Sequence, residues 1–275
     1  MTEAAENKPT DLKIIDQLKT FAGPIRPVWQ EIRNKIYTPH WIPTEIFGKR
    51  LFFLSQNLKM ENNIKRLFNE AEYLGKILAS IKPSDNVLDI GSYIGSHALF
   101  FATRAKSIYC VEPDPNFREE ITRNAKKNNL LTSITIIPAA AWDKNQTLQL
   151  ECQEMFWRSS RLKGTVNAND NPLSPRNFKS TIEVNGRTLD SIAYEIGKPI
   201  DIVKIDTEGA ELHILKGGVD FWKNPPRIMA IEKHPGFLSG WGEKPEDVDQ
   251  FMFDQGYQKT FESKRDNELL TIYSL

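Results

Sequence analysis

The chain has 275 residues, enough for one sizeable α/β domain with an appendage or for two small domains. Its 36 lysines and arginines balance 36 aspartates and glutamates, which argues against a general nucleic-acid binder, whose surface carries a basic excess. No stretch approaches the ~20 apolar residues of a membrane-spanning helix, and the polar residues 1–9 do not read as a secretory signal, so a cytoplasmic location is expected.

Residues 1–60 form an N-terminal appendage in this reading. Trp29, Tyr37, Trp41, Phe47, Phe52 and Phe53 are scattered among its charges, and a short strand is expected near residues 50–54. A helix over 64–81 follows, because Ile64, Leu67, Phe68, Ala71, Leu74, Ile77, Leu78 and Ile81 recur at three- and four-residue steps until Pro83. From residue 86 the pattern alternates. Strands are expected at 87–90, 107–111, 133–137, 200–205 and 228–231, with helices at 96–103, after Asp114-Pro115, and at 210–215. Asp114 can cap its helix, and proline in the first helical turn loses no hydrogen bond. Such alternation predicts a parallel sheet covered on both faces. Two further strands, 257–261 and 269–273, joined by a polar turn over 262–267, add a terminal antiparallel hairpin. The expected fold is therefore a doubly wound, mostly parallel, seven-stranded α/β sheet, carried by residues 61–275. Cys110, one of two cysteines with Cys152, falls within the second strand as a small apolar side chain.

Residues 152–179 break the alternation. Arg158, Arg161, Lys163, Arg176 and Lys179 outnumber Glu154 and Asp170 there, with Phe156 and Trp157 nearby. A loop of this length inside a domain suggests a lid over the acceptor, and a solvated insertion is the plain alternative.

The string Val87-Leu88-Asp89-Ile90-Gly91-Ser92-Tyr93-Ile94-Gly95 is a strand running into a turn that opens a helix. In doubly wound sheets ligands lie in the crevice beyond these strand ends. Gly91 permits close backbone approach and Gly95 close packing of helix on strand. A dinucleotide site wants a glycine where Tyr93 stands, so that backbone can approach a pyrophosphate. S-adenosylmethionine has no pyrophosphate and carries a cation, which suits acidic and aromatic surroundings. Glu112 ends the second strand 21 residues after Gly91, where a carboxylate can accept ribose hydroxyls. After the third strand, Ala139-Ala140-Ala141-Trp142 could give backbone and ring contacts to an adenine, or belong to the core.

Asp89-Ile90-Gly91 with Gly95, Glu112-Pro113, Leu189-Asp190, Ile231-Glu232-Lys233-His234-Pro235 and above all Lys204-Ile205-Asp206-Thr207-Glu208-Gly209-Ala210-Glu211 resemble the FkbM-type methyltransferases. The likeness spans about residues 70–273; the first turn departs from the family form, which has alanine and asparagine in place of Ser92 and Tyr93. It implies a class I, Rossmann-like methyltransferase that places a methyl group on a hydroxyl of a sugar, glycan or secondary metabolite. The implied cofactor is S-adenosylmethionine, held by Asp89, Gly91, Ser92, Tyr93, Gly95, Glu112, Pro113, Ala140 and Ala141.

Asp206, Glu208, Glu232 and His234 all follow adjacent central strands. A hydroxyl is a poor nucleophile, so His234 or Glu208 would serve as general base. Alternatively Asp206 and Glu232 would hold a divalent cation such as magnesium, as catechol-type O-methyltransferases do after the same strands. Asp206 could instead cap a helix, and Glu211 is expected as an ion-pair partner on that helix. Two rivals remain: a nucleic-acid methyltransferase, for which Asn224-Pro225-Pro226 is misplaced and followed by Arg227, and a non-catalytic module keeping the fold. The acceptor, metal dependence and oligomeric state are left open by the sequence.

Overall fold

The computed structural model describes residues 37–153, 160–163 and 178–275. Strands β1 (His40–Ile46) and β2 (Lys49–Ser55) form a hairpin closed by Phe47-Gly48, both at positive φ (49° and 70°). Two left-handed residues match the right-handed twist of the flanking strands. A Cβ on Gly75 would stand 2.3 Å from the Phe47 ring, so only glycine lets the ring rest there. Asn57 then caps α1 (Leu58–Arg66) by accepting the Met60 amide at 2.9 Å.

The single helix expected over 64–81 is two. α1 ends at Arg66, the amides of residues 67–71 each bond three residues back rather than four, and α2 (Ala71–Ser80) resumes. This tightened stretch changes the helical phase: Phe68, counted with the apolar face, is 53% exposed.

The chain continues through β3 (Asn86–Ile90), α3 (Ala98–Ala102), β4 (Ser107–Val111), α4 (Pro115–Lys127), β5 (Ile134–Ile137), β6 (Ala140–Ala141), β7 (Gln146–Gln153), β8 (Ser160–Leu162) and β9 (Phe178–Arg187). It closes with α5 (Leu189–Ile196), β10 (Ile202–Ile205), α6 (Glu211–Lys216), β11 (Ile228–Lys233), α7 (Pro235–Leu238), α8 (Pro245–Asp254), β12 (Gln258–Arg265) and β13 (Glu268–Ser274). The main sheet has the order β12-β13-β11-β10-β3-β4-β5, as expected: seven strands, with only the terminal hairpin antiparallel to its neighbour. The chain winds outward from β3 through β4 and β5, then restarts at β10 on the other side of β3. That reversal opens a crevice above the carboxyl ends of β3 and β10. The central strands are buried end to end because helices cover both faces. One apolar core lies around Phe53, Leu74, Phe100 and Ile121, the other around Leu189, Ile214, Leu238 and Met252.

The hairpin β1–β2 belongs to the same compact unit as the sheet, residues Pro39–Leu275. Asn124 on α4 and Asn128, which caps its C-terminus one turn later, bind its edge: their Oδ1 atoms accept the Leu54 and Phe52 amides, each at 2.8 Å. Around the expected lid, β7 and β9 pair antiparallel and, with β6 and β8, make a second sheet of four strands. These strands were not foreseen. Residues 154–159 and 164–177, the body of the expected lid, lie outside the described residues. At the other end β12 continues to Arg265, so the turn expected over 262–267 shrinks to Asp266-Asn267.

Candidate active site

The turn after β3 is fixed by its backbone. Gly91 has φ +75°, and a Cβ there would stand 1.8 Å from the Asp206 carbonyl oxygen. The turn is thus pressed against the end of β10, and only glycine fits. Ser92 Oγ donates to the Asp89 carbonyl at 2.7 Å. Tyr93, at φ 53°, is a non-glycine residue in the left-handed region, a conformation that costs on the order of 1 kcal/mol. Its amide donates to Glu112 Oε2 at 2.9 Å, and its ring meets Phe117 edge-on at 4.5 Å. The Asp114 amide donates to Glu112 Oε1, also at 2.9 Å. Burial pushes the Glu112 carboxyl up to about 8 against the pull of these two amides. Pro113 continues the loop, and Asp114 caps α4 as expected.

Asp89 is fully buried, and neither carboxyl oxygen has a hydrogen-bond partner; Lys204 Nζ lies 3.4 Å from Oδ1. A buried acid with open acceptor positions, beside a backbone cradle that excludes side chains, fits the cationic amino-acid end of S-adenosylmethionine. Ala140 and Ala141 form β6, paired with Gly186 and Arg187, and their methyls are buried in cores. The Trp142 ring does not offer an open face to an adenine: it is 7% exposed, stacks on His213 at 4.2 Å and leans on Trp241.

On the other side of the crevice Asp206, Glu232 and His234 converge. One oxygen of each acid and one ring nitrogen all lie within 4.8 Å of one another, a spacing that could hold a metal ion. His234 Nε2 is 3.4 Å from Glu232 Oε1 and 3.6 Å from Asp206 Oδ1. Its Nδ1 donates to Glu211 Oε1 at 2.7 Å, which orients the ring and leaves Nε2 toward the two acids. Glu211, buried at the start of α6, is an ion-pair partner as expected, and its partner is the candidate base itself. Burial alone would lower the His234 pKa, but hydrogen bonds to and charges of Glu211 and Glu232 hold it well above the ordinary value. Burial and the charge of Asp206 push Glu232 upward, whereas Lys204 and His234 overcome burial to hold Asp206 well below the usual range. Glu208 sits in the loop between β10 and α6 at φ 44°, next to Gly209, where a Cβ would lie 2.5 Å from Phe237 Cβ.

Several side chains of this cluster were not anticipated. Arg265 of β12 reaches Glu232, Glu268 of β13, and Glu70 in the turn before α2. His97 Nε2 lies 2.9 Å from the other oxygen of Glu70. Lys204 Nζ is 3.3 Å from Asp206 Oδ2. Five carboxylates (Asp89, Asp206, Glu70, Glu232 and Glu268) thus pair with two permanent cations, Lys204 and Arg265, and a sixth, Glu211, pairs with His234. Such a crevice favours a cationic ligand. No short-range signal in Gln258–Arg265 pointed to Arg265, which stands in sequence beside the exposed Lys264 and is half-buried only once β12 is formed.

A doubly wound sheet whose last strand is an antiparallel insertion, with its crevice at the β3–β10 reversal, defines a class I methyltransferase. The chain belongs to the methyltransferase FkbM domain family, which matches residues 89–259, and so to the S-adenosylmethionine-dependent methyltransferases. It is 24% identical over 199 residues to the hexuronic acid methyltransferase AglP of Haloferax volcanii, covering 70% of this chain and 74% of that protein. It is 23% identical over 212 residues to methyltransferase sdnD of Sordaria araneosa, covering 66% of this chain and 77% of that one. The crystal structure of methyltransferase FkbM from Methylobacillus flagellatus superposes with a TM-score of 0.48 at 16% identity, over 71% of this chain and 44% of that one. The chain therefore spans under half the length of that crystallised relative. No helix among the described residues is long and apolar enough to cross a membrane.

Proposed function

We propose that the chain methylates a hydroxyl oxygen of a sugar, glycan or comparable small molecule, with His234 as general base. The observation that carries this reading is the convergence of Asp206, Glu232 and His234, with His234 Nδ1 committed to Glu211. AglP, by its name, acts on a hexuronic acid, which supports a sugar as acceptor.

S-adenosylmethionine supplies the methyl group as an electrophile. The turn Gly91-Ser92-Tyr93 with Gly95 cradles its amino-acid end beside Asp89, Glu112 takes its ribose, and Pro113 with the backbone of Ala140 and Ala141 borders its base. Bound there, S-adenosylmethionine would offer its methyl carbon to the acceptor oxygen, with its own sulfur as the leaving group that keeps the electron pair. His234 Nε2 takes the hydroxyl proton in its neutral form; because, despite burial, Glu211 and Glu232 hold its pKa above the ordinary value, turnover rises as pH climbs through that raised value. Asp206 and Glu232 stabilise the resulting imidazolium, so the positive charge lost at sulfur reappears on a residue already surrounded by acids. Alignment of the three reacting atoms supplies much of the rate. Glu208 borders the acceptor.

The spacing within 4.8 Å supports a second reading, in which Asp206, Glu232 and His234 bind a divalent cation that lowers the acceptor's pKa. The two readings part on one experiment. Turnover of labelled S-adenosylmethionine is measured on methyl glycosides after exhaustive chelation and again with magnesium. Unchanged turnover after chelation supports the base; loss restored by magnesium supports the metal; no transfer to any hydroxyl compound refutes both.

A further inference from the structure

We propose that Arg265, at the tip of the terminal hairpin, is a positioning residue that holds Glu232 against His234. The inference rests on the reading of His234 as the base.

Glu232 is almost wholly enclosed, and its Oε2 has no hydrogen-bond partner. Its position therefore depends on Oε1, which meets Arg265 Nη2 and lies 3.4 Å from His234 Nε2. Arg265 is anchored in turn: Nε donates to Glu268 Oε2 at 3.1 Å, Nη2 also reaches Glu268, and Nη1 reaches Glu70. Its three carboxylates come from the turn before α2, from β11 and from β13, so one side chain ties three elements to the crevice. A guanidinium suits this task because its planar fork offers five donors in fixed directions; an ammonium acts as a point charge. The local backbone sets its aim. A bulge between Lys259 and Phe261 shifts the register of β12 against β13 by one residue. Were Thr260 paired in regular register instead, Lys264 would stand opposite Glu268 and Arg265 would turn to the other face of the hairpin, away from Glu232.

Arg265→Met, Arg265→Lys and Glu268→Gln are compared with the parent protein. The readouts are calorimetry with S-adenosylhomocysteine, steady-state kinetics on neutral and hexuronic methyl glycosides, and crystals grown with S-adenosylhomocysteine. Arg265→Met is expected to lower kcat about 100-fold while the affinity for S-adenosylhomocysteine and the KM for S-adenosylmethionine stay within about threefold. Arg265→Lys should recover about tenfold of that loss, and Glu268→Gln should lower kcat by a smaller factor than Arg265→Met. In crystals of Arg265→Met, Glu232 should leave His234. Retention of the Glu232–His234 contact, kcat within threefold of the parent, or equal loss of kcat and cofactor affinity without rescue by lysine would overturn the proposal. The crystal readout needs no acceptor, so it judges Arg265 even if His234→Gln keeps its turnover and the base reading fails.

Discussion

At the residue scale the crevice shows how environment assigns roles to identical groups. Glu112 spends one lone pair of each oxygen on a backbone amide and is raised by burial; Asp206, facing Lys204 and His234, is lowered despite burial. Because Glu112 borders the ribose in this account, Glu112→Ala should weaken S-adenosylmethionine binding by about 10- to 100-fold, the worth of one or two lost hydrogen bonds to a carboxyl group. Unchanged affinity by calorimetry would remove Glu112 from the site. His234→Gln should instead lower kcat by at least about 100-fold with cofactor affinity within threefold, because a general base acts only as the proton moves. Equal losses would show a packing role. Asp89, Gly91, Glu112, Asp206 and Glu211 were legible in the sequence because each lies within a short string whose spacing is dictated by one turn or one helix start. Arg265, Glu70 and His97 were not legible: Arg265 meets Glu70 across 195 residues of chain, His97 meets the same carboxylate from another element, and each alone reads as a surface charge or a capping residue.

At the scale of elements, hydrophobic periodicity located the strands of the main sheet to within a few residues, because a buried parallel strand is a short apolar run between turn signals. It failed where polar atoms decide. The apolar face over 64–81 is continuous in sequence, so nothing marks the tightened turn at 67–71 that brings Glu70 toward Arg265. The polar residues 262–265 look like a turn by composition, yet they extend β12 because β13 pairs with them and carboxylates receive Arg265. The hairpin β1–β2 depends on a similar polar device. Asn124 is wholly buried; it accepts the Leu54 amide at 2.8 Å and donates to the Ile94 carbonyl at 2.9 Å. Asn124→Ala leaves both backbone groups unsatisfied and should cost about 2–4 kcal/mol, lowering Tm by roughly 5–10 °C. A thermal melt superimposable on the parent's would show that the hairpin is held by its apolar contacts alone.

For the whole molecule, the buried ionisable groups set opposing pH dependences. Glu70 and Asp206 are lowered, so their stabilisation is present above about pH 4, where the unfolded chain also ionises, and is lost on acidification. Glu112, raised to about 8, and Glu232, raised as well, keep protons that the unfolded chain releases near pH 4.5; stability therefore falls as pH climbs from there. His234, raised above 6.5, adds stability at lower pH that is lost as pH rises through its folded value. The ligand-free protein should be most stable at about pH 5–6 and lose Tm steadily toward pH 9. A Tm that climbs between pH 6 and pH 9 would contradict this balance of buried acids.

The same acids define the reaction proposed for the crevice, and its most direct test is where the methyl group goes. S-adenosylmethionine carrying an isotopically labelled methyl group is incubated with the protein and hydroxyl-bearing glycosides, and the product is examined by NMR. The expected product carries a methyl bonded to a former hydroxyl oxygen, formed by the parent protein and nearly absent with His234→Gln. A methyl found on nitrogen or carbon, or undiminished transfer by His234→Gln, would contradict it.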